Sequence, residues 1–425
     1  MGSALAKGFF VMVYKNCYYN KIYRVNMNKI TKNNITAFCL SSFLNDWCHE
    51  MATAILPMFI AQLVGVTYAP TTLGLVQGVS DATSTGMKLV SGFLSDRMSF
   101  YKPFLVIGYG LTGICIGLIG TAHTAWAIIM YKSLAWMSRG LREPMRDTWL
   151  SKIVSSKKYG IIFGTQRAFD SLGALIGPLC AFVLLKMNFS FSTIFYVAAL
   201  PGIISALPIL MLTHEIKETE SKKLYHYKAQ LMLLPRQFMR FVCVMFIFGI
   251  GNFNQMLVIY RVQELLLFDS DKITLFATVS GVLFYAFFNV IRSLSEFCMG
   301  ALSDYKDKKL LLALGGFGAF GITCIMCMSA ATSLLFWVFV VACTGFSVGT
   351  VKVIEKAYAS TLLPDNIRGT GLGLLQAVDG VGDLISSLVV GFLWSWYSLS
   401  AALIYAATLS FVAMFILITH KIHNY

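Results

Sequence analysis

Gly92-Phe93-Leu94-Ser95-Asp96-Arg97 recurs 208 residues later as Gly300-Ala301-Leu302-Ser303-Asp304-Tyr305, and each copy ends a long apolar stretch and precedes a short basic loop. A second, independent match has nearly the same offset. Gly160-Ile161-Ile162-Phe163-Gly164 with Asp170 answers Gly369-Thr370-Gly371-Leu372-Gly373 with Asp379, 209 residues on. Two matches at one offset, close to half of a 425-residue chain, imply one half written twice.

Composition says where that half resides. With 57% hydrophobic and 13% charged residues and a mean hydropathy of +0.70, the chain is too apolar for a water-facing surface. Spanning ~30 Å of hydrocarbon at ~1.5 Å per residue takes about 20 apolar residues, and such runs can be placed twelve times. Their cores are Thr36 to Val64, Thr72 to Ser95, Pro103 to Ala122, Trp126 to Leu150, Tyr159 to Leu185 and Phe191 to Leu212 in the first half. The second half gives Phe238 to Leu267, Ile273 to Leu302, Leu310 to Met328, Ser333 to Thr361, Gly369 to Leu393 and Leu399 to Ile418. The expected fold is an all-α membrane protein with twelve transmembrane helices in two pseudo-symmetric six-helix bundles. Expected boundaries are a basic N-terminal segment 1–35, a first bundle 36–213, a central loop 214–237, a second bundle 238–419 and a tail 420–425.

Lys and Arg near span ends stay on the cytoplasmic side. Lys29 and Lys32, Arg97 and Lys102, Lys157 and Lys158, the stretch Lys217 to Arg240, Lys306 to Lys309, Arg368 and Lys421 all fall on one side, while Lys186 and Lys272 are the main exceptions opposite. Both termini and the central loop are therefore expected in the cytoplasm. The formal charge of +14 is largely this topological signal. It points to a lipid bilayer, not to nucleic acid, as the partner. The first 26 residues, interrupted by Lys7, Lys15, Lys21 and Arg24, are expected to lie on the membrane surface, or to be an upstream extension if the chain starts at Met27. Most of the ten cysteines fall inside spans, where cysteine packs as a small hydrophobe. Cys324 and Cys327 have redox spacing but no charged neighbours, and are expected to be inert.

The repeated motif has a physical reading of its own. Glycine lets helices approach closely, and an acid at a helix end followed by basic residues can latch neighbouring helices together. A latch that opens is a gate, and two related halves rocking about a central site form an alternating-access transporter. The gating candidates are Gly92, Asp96, Arg97, Gly300, Asp304 and Lys306.

Over essentially its whole length the chain resembles the major facilitator superfamily. Gly92 to Lys102 resembles that superfamily's signature between its second and third helices, with Met98-Ser99-Phe100-Tyr101 standing where the family usually shows a Gly and an Arg. Gly300 to Lys309 resembles the weaker echo between the eighth and ninth. Gly173-Ala174-Leu175-Ile176-Gly177-Pro178 resembles a motif of antiporter-type members, and equally reads as a kinked, close-packed helix. A narrower resemblance is to a bacterial subgroup. It rests on Asn45-Asp46 with Glu50-Met51, on Arg139-Gly140-Leu141-Arg142-Glu143-Pro144-Met145-Arg146-Asp147, on Gly251-Asn252 with Arg261, and on Glu355-Lys356-Ala357 before Arg368-Gly369-Thr370. That subgroup includes proteins linked to export or uptake of siderophores and toxic solutes.

An ionisable residue at mid-span costs about 2.5 kcal/mol or more unless paired or hydrated, so each marks a pathway by default. At about 100° per residue, Lys132, Arg139, Arg142 and Arg146 share roughly an 80° arc of the fourth span, which must face the bundle interior. Two readings stay open. Lys132 and Arg139 attract an anionic substrate, or all four cations are neutralised by Asp147, Asp170, Asp81 or Asp96 and hold helices together. In the first span Asp46, His49 and Glu50 are the proton-coupling candidates, because a carboxylate drawn out of water binds a proton more readily; the resemblance also implies this role for a first-helix carboxylate. The alternative is that Asp46 pairs with Lys132 or Arg167. Arg167 and Asp170, Asn252 and Gln255, Asn289 and Arg292, Lys352 and Asp379 complete the cavity candidates with Lys132 and Arg139, and Asn254, Glu296, Glu355, Lys356 and Asp383 lie near them. Arg146 and Asp147 align with Glu355 and Lys356 at the 209-residue offset, inverted in sign, which suggests an ion pair from each half at the cytoplasmic gate.

No phosphate loop, zinc spacing or nucleophile motif appears, so neither an enzyme nor a metal or other cofactor is expected. The expected function is secondary active transport of a small solute, an organic anion such as a polycarboxylate or siderophore, coupled to protons across a bacterial inner membrane by a functional monomer. A multidrug or metal efflux antiporter is the alternative within the class, and a non-transporting sensor or scaffold the alternative outside it.

Overall fold

In the computed structural model the described residues are 29–95, 100–153, 159–214, 234–266, 275–303, 305–329, 331, 333–364 and 368–419. The segment before Lys29, the motif residues Asp96, Arg97 and Asp304, most of the central loop and the tail after Thr419 lie outside them, so the expectations for those residues are not addressed by the structure.

The described chain is helical. Its elements are α1 (Lys29–Val64), α2 (Ala69–Ser95), α3 (Lys102–Ile119), α4 (Ala125–Ile153), α5 (Tyr159–Lys186), α6 (Phe191–Ile204), α7 (Ala206–Leu212), α8 (Arg236–Gly249), α9 (Met256–Leu266) and α10 (Leu275–Leu302). Then follow α11 (Lys308–Leu311), a π-helical turn (Leu312–Gly318), α12 (Ala319–Cys327), α13 (Leu334–Leu362), α14 (Arg368–Trp396) and α15 (Leu399–Thr419). Among the described residues, nine stretches are long and apolar enough to cross a membrane. Helices α2 and α4, of 27 and 29 residues, are long enough but too polar to count among the nine.

Three runs expected to be continuous are interrupted. The α6/α7 break falls at Ser205, where Pro208 has no N–H to return to Ile204 and the Ser205 hydroxyl turns back onto the Gly202 carbonyl. The α8/α9 break corrects the expectation that Asn252, Asn254 and Gln255 ride on a helix. Gly251, Asn252 and Asn254 are weak helix formers, and Asn254 Oδ1 accepts from Met256 N at 3.0 Å, starting the next helix instead of continuing the last. Between α11 and α12, Gly315, Gly316 and Gly318 accommodate the wider π turn, and Ser347 Oγ donates to the Gly316 carbonyl at 2.7 Å.

Lipid supplies no hydrophobic drive between helices, so small residues and interhelical hydrogen bonds set the packing. A Cβ on Gly173 would stand 2.4 Å from the Phe43 carbonyl oxygen, and one on Gly177 would stand 2.7 Å from Met51 N. The Gly173 to Pro178 segment thus seats α5 against the backbone of α1. The halves meet where α2 crosses α14. Thr71 Oγ1 donates to Gly391 O at 3.0 Å and Thr71 N to Ser395 Oγ at 3.1 Å, while Tyr260 on α9 donates to Val66 O at 2.7 Å.

The internal repeat reappears as one hydrogen bond made twice. Ser95 Oγ donates to Gly92 O and Ser303 Oγ to Gly300 O, both at 2.7 Å. The motif glycines do not mark a close approach, contrary to the sequence reading. A Cβ on Gly92 meets nothing within 4 Å, and one on Gly300 meets Val353 at an ordinary 3.4 Å.

Candidate substrate cavity between the halves

Two adjoining cavities occupy the space between the halves. The first, of about 190 Å³, is walled by Asp46, His49, Glu50 and Thr53 of α1, Gln77 and Asp81 of α2, Trp136 and Arg139 of α4, and Arg167, Asp170, Ser171 and Ala174 of α5. Its opposite wall is Asn254 and Gln255 from the α8/α9 break, Tyr285, Arg292 and Glu296 of α10, and Lys352 of α13. The second, of about 240 Å³, lies against α8, α13 and α14 and shares Asp81, Asn254, Gln255 and Lys352 with the first. The α8/α9 break therefore places backbone-adjacent amides where two cavities join, as irregular backbone at membrane depth does when it lines a cavity.

The α4 stripe divides by partner. Lys132 is 1% exposed, donates to Gln77 Oε1 at 2.8 Å and lies 4.7 Å from the Trp136 ring centroid. It stands behind the wall formed by Gln77 and Trp136 and does not line either cavity. Arg139 pairs with Glu143, one turn along its own helix, at 2.7 Å, and Lys88 reaches the same carboxylate at 2.9 Å. Arg142, 3% exposed, donates to Thr112 Oγ1 at 2.9 Å and covers the Tyr109 ring at 4.5 Å. Arg146 pairs with Asp147 at 3.0 Å and donates to Ser42 Oγ at 3.0 Å. Of the four, Arg139 lines a cavity, and its charge is already shared with an acid that the sequence reading had not considered.

The expected mirror image of the Arg146–Asp147 pair does not form. Among the described residues Glu355 and Lys356 make no ion pair within 4.0 Å; Glu355 lines the second cavity beside Asp379 and Asp383.

Helix α1 delivers the proton-coupling candidates to the first cavity. Glu50 is 6% exposed; the Tyr285 hydroxyl donates to its Oε2 from the other half, and His49 Nδ1 lies 3.6 Å from its Oε1. The His49 ring rests 4.4 Å from that of Trp136, whose Nε1 donates to Asp81 Oδ1 at 3.0 Å. Trp136 thus ties Lys132, His49 and Asp81 into one network. Asp46 lines the cavity, and it pairs with neither Lys132 nor Arg167 among the described residues. Asn289 is buried behind the wall, its Nδ2 donating to Ala174 O across the halves at 3.5 Å. Asn252, Gln255 and Asp379 line the second cavity.

A different set of cations faces the space. Arg292 Nε and Lys352 Nζ approach the same oxygen of Glu296, at 3.9 and 3.8 Å, both beyond hydrogen-bonding range. Arg167 lies in the field of Lys352 and has no ion-pair partner among the described residues. Two cations therefore share one loosely held carboxylate, and Arg167 stands in the wall of the same cavity. Sequence reasoning missed Trp136, Tyr285, Gln77 and Glu143; a polar side chain inside an apolar span was the available signal for Gln77. Among the described residues no group of three or more His, Cys, Asp or Glu side chains is arranged to hold a metal, and Cys324 and Cys327 are buried free thiols.

Residues 38–351 and 241–423 match the family Major Facilitator Superfamily. The chain belongs to the major facilitator superfamily. It is 29% identical over 409 residues to an uncharacterized MFS-type transporter of Methanocaldococcus jannaschii, covering 94% of this chain and 99% of that protein. To the multidrug resistance protein MdtG of Proteus mirabilis it is 23% identical, over 90% of this chain and 94% of that one. Among solved structures it is similar to a variant of the nucleoside transporter NupG, with a TM-score of 0.76 at 13% identity over 91% of this chain and 99% of that chain. A POT family transporter gives 0.71 at 12% identity, over 90% and 95%. As a member of the superfamily the chain is a multi-pass membrane transporter of a small solute, not an enzyme.

Proposed function

We propose that this transporter moves a small organic anion, coupled to protons, by alternating access. In this reading twelve spans form two six-helix halves, 36–213 and 238–419, in a bacterial inner membrane. The termini, 1–35 and 420–425, and the loop 214–237 are cytoplasmic, and the monomer is the working unit. The observation that carries the substrate class is the approach of Arg292 and Lys352 to one oxygen of Glu296, neither within hydrogen-bonding range, with Arg167 in the wall of the same cavity. Cations in a low-dielectric cavity repel one another strongly, and an incoming anion relieves that repulsion through charge-assisted hydrogen bonds. The Arg139 to Asp147 segment supports the narrower bacterial subgroup, with a polycarboxylate or carboxylate-type siderophore as the concrete candidate.

Glu50 is the proposed proton site. While ionised it accepts the Tyr285 hydroxyl across the halves; protonation weakens that acceptor, so proton uptake alters how the halves hold together. Flux of a hit compound in proteoliposomes should follow an imposed pH gradient, and Glu50→Gln should remove that dependence. Gradient dependence retained in both Glu50→Gln and Asp46→Asn would exclude the α1 carboxylates.

Drug efflux is the second reading, favoured by the likeness to MdtG. A thermal-shift screen of purified protein against anionic, neutral and cationic metabolites separates the two. Stabilisation by cations but not by anions would overturn the anion reading.

A further inference from the structure

The first cavity carries both signs of charge, whereas the second is mainly acidic and apolar. Its floor carries the carboxyls of Asp81, Glu355, Asp379 and Asp383, none of which makes an ion pair within 4.0 Å among the described residues. Facing them is an apolar wall that includes Phe248 and Phe253, with Phe248 held in place by stacking on Phe317 at 4.2 Å between centroids. Ser387, 1% exposed, also lines this cavity, and its hydroxyl has no hydrogen-bond partner among the described residues.

Carboxyls on one side, an aromatic wall on the other and an unsatisfied hydroxyl between them form a receptor for an organic ammonium group. Water would fill the space poorly along the apolar wall, and an inorganic cation would leave that wall unused. This chamber adjoins the one that holds Arg167 and Arg292, the two sharing Asp81, Asn254, Gln255 and Lys352. Cations in one chamber and unpaired carboxyls in the adjoining one match a solute that carries both charges.

We propose that the transported solute is a zwitterion, its anionic group held by Arg167, Arg292 and Lys352 and its ammonium group by Asp379 and Asp383 against Phe248 and Phe253. This rests on the anion reading above and narrows it. The four carboxyls then have a role that a simple anion would oppose, because a second negative group beside them would be repelled.

The test uses the purified full chain in detergent and a graded set of probes: ω-amino acids from glycine to aminooctanoate, the matching alkanoates and the matching alkylamines. Binding is followed by thermal shift and then by calorimetry. At one chain length the amino acid should bind at least about tenfold tighter than both its alkanoate and its alkylamine, the loss expected when one charge-assisted contact is removed. Asp383→Asn or Asp379→Asn should shrink the ratio against the alkanoate, and Arg292→Gln should shrink the ratio against the alkylamine. The wild-type ratios decide the matter without any variant, so a misfolded substitution leaves the test intact. Alkanoates binding as tightly as their amino acids at every length would overturn the zwitterion while the anion reading stood. Alkylamines binding as tightly as the amino acids would overturn both. Binding by no member of the series would overturn the zwitterion and leave the metabolite screen to judge the anion.

Discussion

Replacing Gly74 by alanine should move the transporter between its conformations while leaving the residues that line the first cavity unchanged. In the structure a Cβ at Gly74 falls 2.2 Å from the Ser387 carbonyl oxygen and 3.3 Å from Gly391 Cα, the first well under the 3.0 Å that real Cβ atoms keep. Both opposing groups are backbone, so no side chain can swing away. Overpacking of this kind costs about 1–3 kcal/mol. That cost falls on the arrangement in which α2 and α14 are packed together, and disappears when they part. If the halves alternate, the equilibrium should therefore shift by roughly 5- to 150-fold toward the arrangement with this end apart. Gly391→Ala should act in the same direction, since its Cβ meets Pro70 O at 2.7 Å. Gly86→Ala is the control, because its Cβ meets nothing within 4 Å.

Tyr68 and Trp396 mark the same end of the molecule, exposed and with ring centroids 6.3 Å apart. Nitroxide labels at these two positions, in a background where the exposed Cys243 and Cys298 are serine, report separation through loss of spin–spin broadening. Gly74→Ala and Gly391→Ala should each lose broadening, and Gly86→Ala should not. Broadening unchanged in both variants, accompanied by a fall in melting temperature, would mean that the clash is absorbed as simple destabilisation. The α2/α14 contact would then not be a gate.

Tyr285→Phe removes the donor to buried Glu50, and should weaken the pH-gradient dependence of flux in proteoliposomes while leaving the cation trio in place. Arg167→Gln and Lys352→Gln should each raise the Kd for an anionic hit about tenfold at low salt, as lost charge-assisted contacts do. Arg146→Gln, whose charge is spent on Asp147, should change that Kd far less by calorimetry. Thr112→Val should cost about 1–3 kcal/mol, because it strands the buried Arg142 guanidinium, whereas Arg142→Met should be closer to neutral. Thermal unfolding in detergent gives the order, and the reverse order would refute the assignment of Thr112 as the partner that matters.

The repeat and the apolar runs were legible because both are properties of residue order. Ser95 and Ser303 close their helices identically, and the outer limits of the expected spans agree with the helices within about three residues except at the first, whose helix begins at Lys29 and not at Thr36. The interruptions were less legible. A window of mean hydropathy cannot register that Pro208 lacks an N–H, or that Asn254 caps α9 better than it extends α8. Partner choice was least legible of all, because it depends on which helices touch. The Tyr285 to Glu50 bond joins positions 235 residues apart, and nothing local to either residue announces it. The inverted Arg146/Asp147 and Glu355/Lys356 alignment failed for the same reason, since the way α13 and α14 pack brings Glu355 into one cavity wall with Asp379 and Asp383.

The α4 cations show what a helical face can and cannot say. Their common arc correctly implies an interior direction, since a charge facing lipid costs about 2.5–3.5 kcal/mol at the centre of a span. It does not distinguish charges that hold helices together from charges that await a ligand. Pairing does. Lys132 is held by Gln77 and Trp136, Arg139 by Glu143, Arg142 by Thr112 and Tyr109, and Arg146 by Asp147 and Ser42. Arg167, Arg292 and Lys352 come from three helices in two halves, and have one carboxylate at nearly 4 Å between the last two. Moving the halves would part Arg167 from Arg292 and Lys352 while leaving the α4 contacts, which lie within one half, intact. If the halves rock as proposed, a solute bound among the three is the component whose affinity changes, and that differential is the one quantity a transporter needs.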